Sequence, residues 1–199
     1  MASYSSVEQA IARHQEYPAL DRDMKDHDFQ RRRVASMVRF VQPGDIVLDV
    51  ACNTGYLKDY LPQAGEIHGV DCNPEHVAVA ASRLTSAQVA PAESLPFPDN
   101  TFDVVNVSGL LEQVFNCEAV MREAARVSRR SVTGNPVHES GAWGRQRVER
   151  HEWQSRSFSE TEIMDLLKMI GHVQFLGTVD VHLDPPEPQC WYWCVEVGS

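Results

Sequence analysis

Residues Ile46 to Leu57 read Ile-Val-Leu-Asp-Val-Ala-Cys-Asn-Thr-Gly-Tyr-Leu. Three apolar residues lead into Asp49, small and turn-forming residues follow at Ala51, Asn53 and Gly55, and Tyr56 to Leu61 resume an apolar pattern. The order predicts a buried strand, a tight turn and a helix start. Ala and Gly carry little or no side chain, and Asn and Gly accept positive φ, so the backbone of such a turn can approach a ligand closely. The free N–H groups at the start of the following helix would face the same ligand. Asp71 stands 22 positions after Asp49 and closes the next apolar run, which begins at Ile67. A carboxylate at the carboxyl end of a neighbouring strand can accept both hydroxyls of a ribose.

Two nucleoside cofactor classes fit that arrangement. A dinucleotide site cradles a pyrophosphate with Gly-x-Gly-x-x-Gly, whereas these positions read Ala51-x-Asn53-x-Gly55. An acidic residue followed by three small residues at alternate positions instead resembles motif I of the class I S-adenosylmethionine-dependent methyltransferases. From Val89 to Val105 the chain reads Val-Ala-Pro-Ala-Glu-Ser-Leu-Pro-Phe-Pro-Asp-Asn-Thr-Phe-Asp-Val-Val. This resembles the link between the third and fourth strands in the small-molecule branch of that family, the branch of the ubiquinone and menaquinone biosynthesis methyltransferases. Two prolines flank Phe97, a Pro-Asp-Asn turn follows, and a strand begins.

The resemblance runs from about residue 34 to the C-terminus. It implies an α/β fold with a Rossmann-like, seven-stranded, mostly parallel sheet, an antiparallel last strand and helices on both faces. Residues 1–33 would form an N-terminal helical lid segment, with His14 and Tyr17 as candidate contacts. Residues 34–199 would form the methyltransferase domain, with an acceptor-side insertion at 134–158.

The resemblance implies S-adenosyl-L-methionine as cofactor and S-adenosyl-L-homocysteine as product. By motif position, Asp49 with Ala51, Cys52, Asn53 and Gly55 would hold the methionine end. Asp71 would take the ribose hydroxyls with Cys72 beside it, Ala92 and Glu93 would face the adenine, and Ser108 would lie near the sulfonium. Relatives commonly place an Asp where Pro91 stands, and proline offers neither carboxylate nor N–H. Many also carry histidine where Glu112 or Gln113 stands, which leaves Glu112 as the candidate base, beside its ordinary reading as an exposed helix-start acid. The usual Lys-Pro-Gly-Gly turn before the fifth strand is replaced by Ser128-Arg129-Arg130-Ser131, a shorter connection.

Further elements follow from pattern. Residues 5–16 and about 28–41 predict helices, the second stopped by Gln42-Pro43-Gly44. Asn73 caps a helix with Pro74 at its first position and Val77, Ala80, Ala81 and Leu84 on one face. The third strand is expected at Val89-Ala90, the fourth at Asp103 to Val107 and the fifth around Ser131 to Thr133. A helix spans Cys117 to Ser128, and Ser159-Glu160-Thr161-Glu162 is a capping box opening another that Gly171 ends. His172 to Val181 and Cys190 to Val197 would form the closing hairpin.

The 25 residues from Gly134 to Phe158 are polar and aromatic, and a loop of that length in a compact domain is usually functional. His138 and His151 are candidate bases there, with ordinary loop histidines as the alternative. Neither His138-Glu139 nor His151-Glu152 matches a tight metal-ligand spacing, so no metal is expected.

The chain has 199 residues, 43% of them hydrophobic, enough for one α/β domain. A net charge of −10 argues against nucleic acid as partner. No apolar run approaches the about 20 residues of a membrane span, and the N-terminus lacks a signal-peptide pattern, so a cytoplasmic protein is expected. Five cysteines without metal-type pairing read as reduced packing residues. The expected activity is methyl transfer to a small-molecule acceptor at oxygen. A cofactor-binding but non-catalytic partner subunit of another methyltransferase is the alternative, and a homodimer stays open.

Overall fold

The computed structural model describes residues 6–16, 34, 37–141, 156–181 and 187–197. In chain order the elements are α1 (Val7–Gln15), β1 (Ile46–Val50), β2 (Glu66–Asp71), α2 (Pro74–Ala80), β3 (Ser86–Val89), β4 (Phe102–Asn106), α3 (Cys117–Val127), β5 (Ser128–Gly134), α4 (Glu160–Ile170), β6 (His172–Val181) and β7 (Glu187–Glu196). The strands form one sheet in the order 3-2-1-4-5-7-6. β1 pairs in parallel with β2 and β4, β2 with β3, and β4 with β5. β7 runs antiparallel between β5 and β6.

Alternation along β1 sorts the two faces of the sheet. Leu48 and Val50 join a core with Val120, Met121 and Ala124 of α3, Ile163 and Leu167 of α4, and Trp191, Trp193 and Val195 of β7. Val47 joins the opposite core with Val34, Met37, Leu57, Leu61, Ala80 and Leu84. A near-continuous apolar strand is what a sheet covered on both sides requires, and β1, interrupted only by Asp49, is 5% exposed or less from Val47 to Val50.

Several boundaries differ from the sequence expectation. The helix after the first turn is a five-residue 3-10 segment, Tyr56–Tyr60, entered through Gly55 at φ 76°. β3 lies three residues earlier, at Ser86–Val89, because it is a sheet edge whose residues are mostly exposed and so carries no apolar run. The long helix expected over 28–41 falls mostly outside the described residues, with residues 34, 37 and 38 helical.

The caps expected at Asn73 and at Ser159 with Glu162 are present, and Ser6 adds one at α1. Ser6 caps α1 by accepting from the Gln9 N–H at 3.2 Å, Asn73 caps α2 by accepting from Glu75 at 2.9 Å, and Ser159 and Glu162 form the reciprocal box that opens α4. The missing Pro-Gly turn has a visible result: α3 ends at Val127 and β5 starts at Ser128 with nothing between. A register shift between Phe102 and Val104 absorbs the tight junction.

The Leu95-to-Asn100 stretch owes its shape to α3. Arg126 donates to the carbonyls of Phe97 (2.8 Å) and Leu95 (3.0 Å) and to the carboxylates of Asp99 (2.8 Å) and Glu123 (2.7 Å). Glu123 in turn accepts the Leu95 N–H at 2.7 Å. Two prolines leave this segment short of N–H donors, so it cannot satisfy its own carbonyls, and one guanidinium takes that role.

Candidate functional site

Where β1 turns towards its 3-10 segment, Ala51 (φ 62°), Asn53 (φ 49°) and Gly55 (φ 76°) all adopt left-handed backbone. The turn is held from within: Cys52 N–H donates to Val70 O, Gly55 N–H to Cys52 O, and Thr54 N–H to the Asn53 side chain. A Cβ on Gly55 would lie 3.0 Å from Leu84 Cγ, so the position excludes a side chain by conformation and by space.

Above the carboxyl ends of the strands lies a cavity of about 280 Å³. Its walls come from the β1 turn (Val50, Ala51, Asn53, Tyr56), the end of β2 (Val70, Asp71, Cys72) and His76 of α2. The β3–β4 connection adds Ala90 to Glu93, the segment after β4 adds Ser108 to Leu110 and Glu112 to Val114, and Val137 and Cys190 close the far side. Ala10, Ile11 and His14 of α1 complete it. Since β2 and β7 are separated in the sheet by β1, β4 and β5, the cavity spans the topological switch point where open α/β sheets bind ligands.

Asp71, 7% exposed, sits at the hub of this wall. Its Oδ2 accepts the Asn53 N–H and its Oδ1 the Asn73 N–H, both at 2.9 Å. His76 Nδ1 lies 3.4 Å from Oδ1. Beneath the cavity Asn106 Nδ2 donates to Asp49 Oδ1 at 2.6 Å, and the Ser108 hydroxyl donates to Asn106 Oδ1 and lies 2.6 Å from Met37 Sδ. This chain ties β1 to β4 and fixes Ser108 at the cavity rim.

The helix α1 lies across the opening. His14 Nε2 reaches Gln113 O at 3.3 Å, the Asn73 side chain donates to His14 O at 3.2 Å, and Gln15 donates to Cys72 O at 3.0 Å. One helix end therefore bridges the β2–α2 lip and the segment after β4. Burial holds the His14 imidazole below its usual range, against the raising effect of Gln113 O. Burial raises Glu93, with backbone N–H groups of Glu93, Asn116 and Phe115 acting in the opposite sense.

The sequence-nominated residues therefore separate. Ala51, Asn53, Asp71, Cys72, Ala92, Glu93, Ser108 and Glu112 line one cavity. Glu112 is 3% exposed, a buried carboxylate rather than a solvated helix-start acid. Asp49, Cys52 and Gly55 shape the turn from behind instead of lining the cavity. Asp49 points at Asn106, and Cys52 packs where Gly69 leaves room, since a Cβ there would sit 2.6 Å from Cys52 Sγ. Burial raises the Cys52 thiol, and raises Cys72 to about 12, so both are protonated at neutral pH.

His138 is not on the cavity wall: its ring stacks on Trp191 at 4.2 Å and meets Ser140. Tyr17 and His151 lie outside the described residues. Sequence reasoning passed over Tyr56, His76, Val137 and Cys190. His76 carried a signal, standing five positions after Asp71 on the first turn of the next helix.

These features fit S-adenosylmethionine on the observation that a left-handed, side-chain-poor turn and a carboxylate at the end of β2 face one cavity. Pro91, Glu112 and Gln113 are the wall residues that depart from the pattern. Among the described residues no helix is long and apolar enough to cross a membrane, and no group of three His, Cys, Asp or Glu is placed to hold a metal.

A family described as "Methyltransferase domain" matches residues 48–132. The ubiquinone/menaquinone biosynthesis C-methyltransferase UbiE of Burkholderia mallei is 36% identical over 99 residues, 45% of this chain and 41% of that protein. The chain thus matches under half the length of that curated relative. Among solved structures, the methyltransferase in complex with the Haloferax volcanii Trm112 methyltransferase activator superposes with a TM-score of 0.73 at 17% identity, covering 91% of this chain and 96% of that one. Magnesium protoporphyrin IX methyltransferase from Synechocystis, with bound S-adenosylhomocysteine, gives 0.69 at 14% identity, covering 97% and 95%. The sheet order, the turn after β1, Asp71 at the end of β2 and the domain match over residues 48–132 agree, and together they make this chain similar to the class I methyltransferases that use S-adenosylmethionine.

Proposed function

We propose that this chain methylates a hydroxyl oxygen of a small-molecule acceptor. The observation that carries the reading is the single cavity that holds Asp71 and the β1 turn on one side and the buried carboxylate of Glu112 on the other. Asp71 accepts from the ribose hydroxyls, the Ala51–Asn53 backbone borders the methionine end, and Ala92 and Glu93 border the adenine. Leu110, Val114, Val137 and Cys190 form a largely apolar wall for the acceptor. When bound, the cofactor's sulfonium makes its methyl carbon electrophilic. The chain's own contribution is to align the acceptor, exclude water and remove a proton. Alignment can lower a barrier by about 7 kcal/mol or more, and a positioned base adds a factor of about 100.

Transfer of label from S-adenosylmethionine to a panel of phenols and other hydroxylated metabolites tests this. Glu112→Gln should cut turnover by about 100-fold while leaving S-adenosylhomocysteine affinity unchanged. A product carrying the label on carbon, as the name of the UbiE relative describes for that protein, would overturn the oxygen assignment.

A second reading, a cofactor-binding subunit that acts with another chain, draws on Pro91 and on the fold neighbour bound to a methyltransferase activator. It predicts S-adenosylhomocysteine binding without transfer until a co-purifying chain is added.

A further inference from the structure

His76 is the third residue of α2, and the start of that helix is fixed on both sides. Pro74 fills its first position, and Asn73, wholly buried, caps Glu75 N–H and donates its side chain to His14 O of α1. This places the His76 ring in the cavity wall, 7% exposed, with Nδ1 3.4 Å from Asp71 Oδ1. At 3.4 Å the contact is longer than a formed N–H···O hydrogen bond. Among the described residues neither ring nitrogen has a hydrogen-bond partner. Buried imidazoles are normally satisfied, so an unsatisfied one in a ligand cavity calls for an explanation.

Asp71 supplies it. Its two oxygens already accept the backbone N–H groups of Asn53 and Asn73, one from the β1 turn and one from the α2 cap. Those donors hold the carboxylate from the protein side, and Nδ1 of His76 lies 3.4 Å from Oδ1, where a small closure would make it a third donor. We propose that His76 is a positioning residue for nucleoside binding: an N–H at Nδ1 steadies the Asp71 carboxylate in the plane that meets the ribose hydroxyls. The inference rests on the assignment of Asp71 to the ribose. In this arrangement the hydrogen bond made by one ring nitrogen sets the tautomer of the other. Its effect reaches the cofactor through Asp71 and not through the methyl-transfer step.

Side-chain geometry gives a test that packing alone does not pass. Asparagine carries an N–H near the position of Nδ1, glutamine carries one near Nε2, and phenylalanine keeps the ring shape with no donor. Calorimetric titration with S-adenosylhomocysteine should show His76→Phe weakening binding by about tenfold, and His76→Asn returning to within about threefold of the parent. In an Asp71→Asn background, His76→Phe should cause no further loss, because the group it positions has already changed. Should His76→Phe fail to fold, His76→Leu takes its place. In the parent protein, ¹⁵N shifts of the His76 ring should then show a proton on Nδ1 once S-adenosylhomocysteine is added.

A loss below about threefold in His76→Phe, rescue by His76→Gln in place of Asn, or full additivity with Asp71→Asn would each overturn the proposal. If Asp71→Ala itself leaves affinity intact, the ribose assignment falls first. If Asp71→Ala weakens binding and His76→Phe does not, the role of His76 alone falls.

Discussion

Asp71 serves two sets of partners at once. It accepts two backbone N–H groups that shape the cavity lip, and it presents what remains of its lone pairs to the cavity. Removing the carboxylate therefore leaves Asn53 N–H and Asn73 N–H unpaired, at a cost of about 1–3 kcal/mol in stability. Asp71→Ala should lower both the unfolding midpoint and S-adenosylhomocysteine affinity, the latter by at least about tenfold. Asp71→Asn keeps one acceptor oxygen and should separate the two losses, holding stability better than affinity. Gly55 makes the opposite case, a residue that matters by having no side chain. Gly55→Ala meets a φ of 76° and Leu84 Cγ at 3.0 Å, and should lower stability by about 1–2 kcal/mol in urea unfolding. Ordinary urea stability in that variant would contradict the left-handed turn.

At the scale of elements, α1 is the roof and its docking depends on a neutral His14. Burial lowers the His14 pKa below the free value of about 6.5, so the undocked helix binds a proton more readily than the docked one. Docking is then fully present above the free pKa and weakens as pH falls below it. The protection of the α1 amides, taken relative to the intrinsic exchange rate at each pH, should fall between pH 7 and about pH 5.5, and His14→Asn should flatten that dependence; equal protection across the range would contradict it. A second element, the Leu95–Asn100 connection, depends on Arg126. Arg126→Met removes donors to two carbonyls and two carboxylates, and should cost about 1.5–3 kcal/mol in unfolding free energy. The loss should concentrate as faster exchange around residues 95–100, the lip that leads from Glu93 to β4.

For the whole molecule, the sheet order 3-2-1-4-5-7-6 puts the ends of β2, β1 and β4 side by side. Residues distant in sequence, Asn53, Asp71, Glu93 and Ser108, share one wall for that reason. The strands that read plainly in sequence are those buried on both faces, such as Ile46–Val50, because two covered faces favour an apolar run, which only Asp49 interrupts here. The edge strand Ser86–Val89 read poorly because three of its four residues are exposed, where side-chain pattern carries little information. The turn after β1 and the acid closing β2 were legible because their chemistry is local: small residues permit the backbone and a carboxylate ends the run. The orientation of a side chain relative to the cavity was not. Cys52 neighbours Ala51 and Asn53 in sequence, yet its thiol packs against Gly69 behind the turn. The face of α2 that the apolar pattern picked out, with Val77 and Ala80, is its core face. His76 stands beside that stripe, and only the seating of the helix turns it to the cavity. Cys190 and Val137 meet through a bridge formed after β7 returns against β5, which no local pattern encodes.

Binding of S-adenosylmethionine is expected to run through the β1 turn and Asp71. Calorimetric titration of the full chain with S-adenosylhomocysteine, alongside Asp71→Asn, tests it most directly. Micromolar binding by the parent and a clear loss in the variant, with the fold retained, are the expected results. No binding up to millimolar ligand, or equal affinity in both proteins, would contradict that binding route.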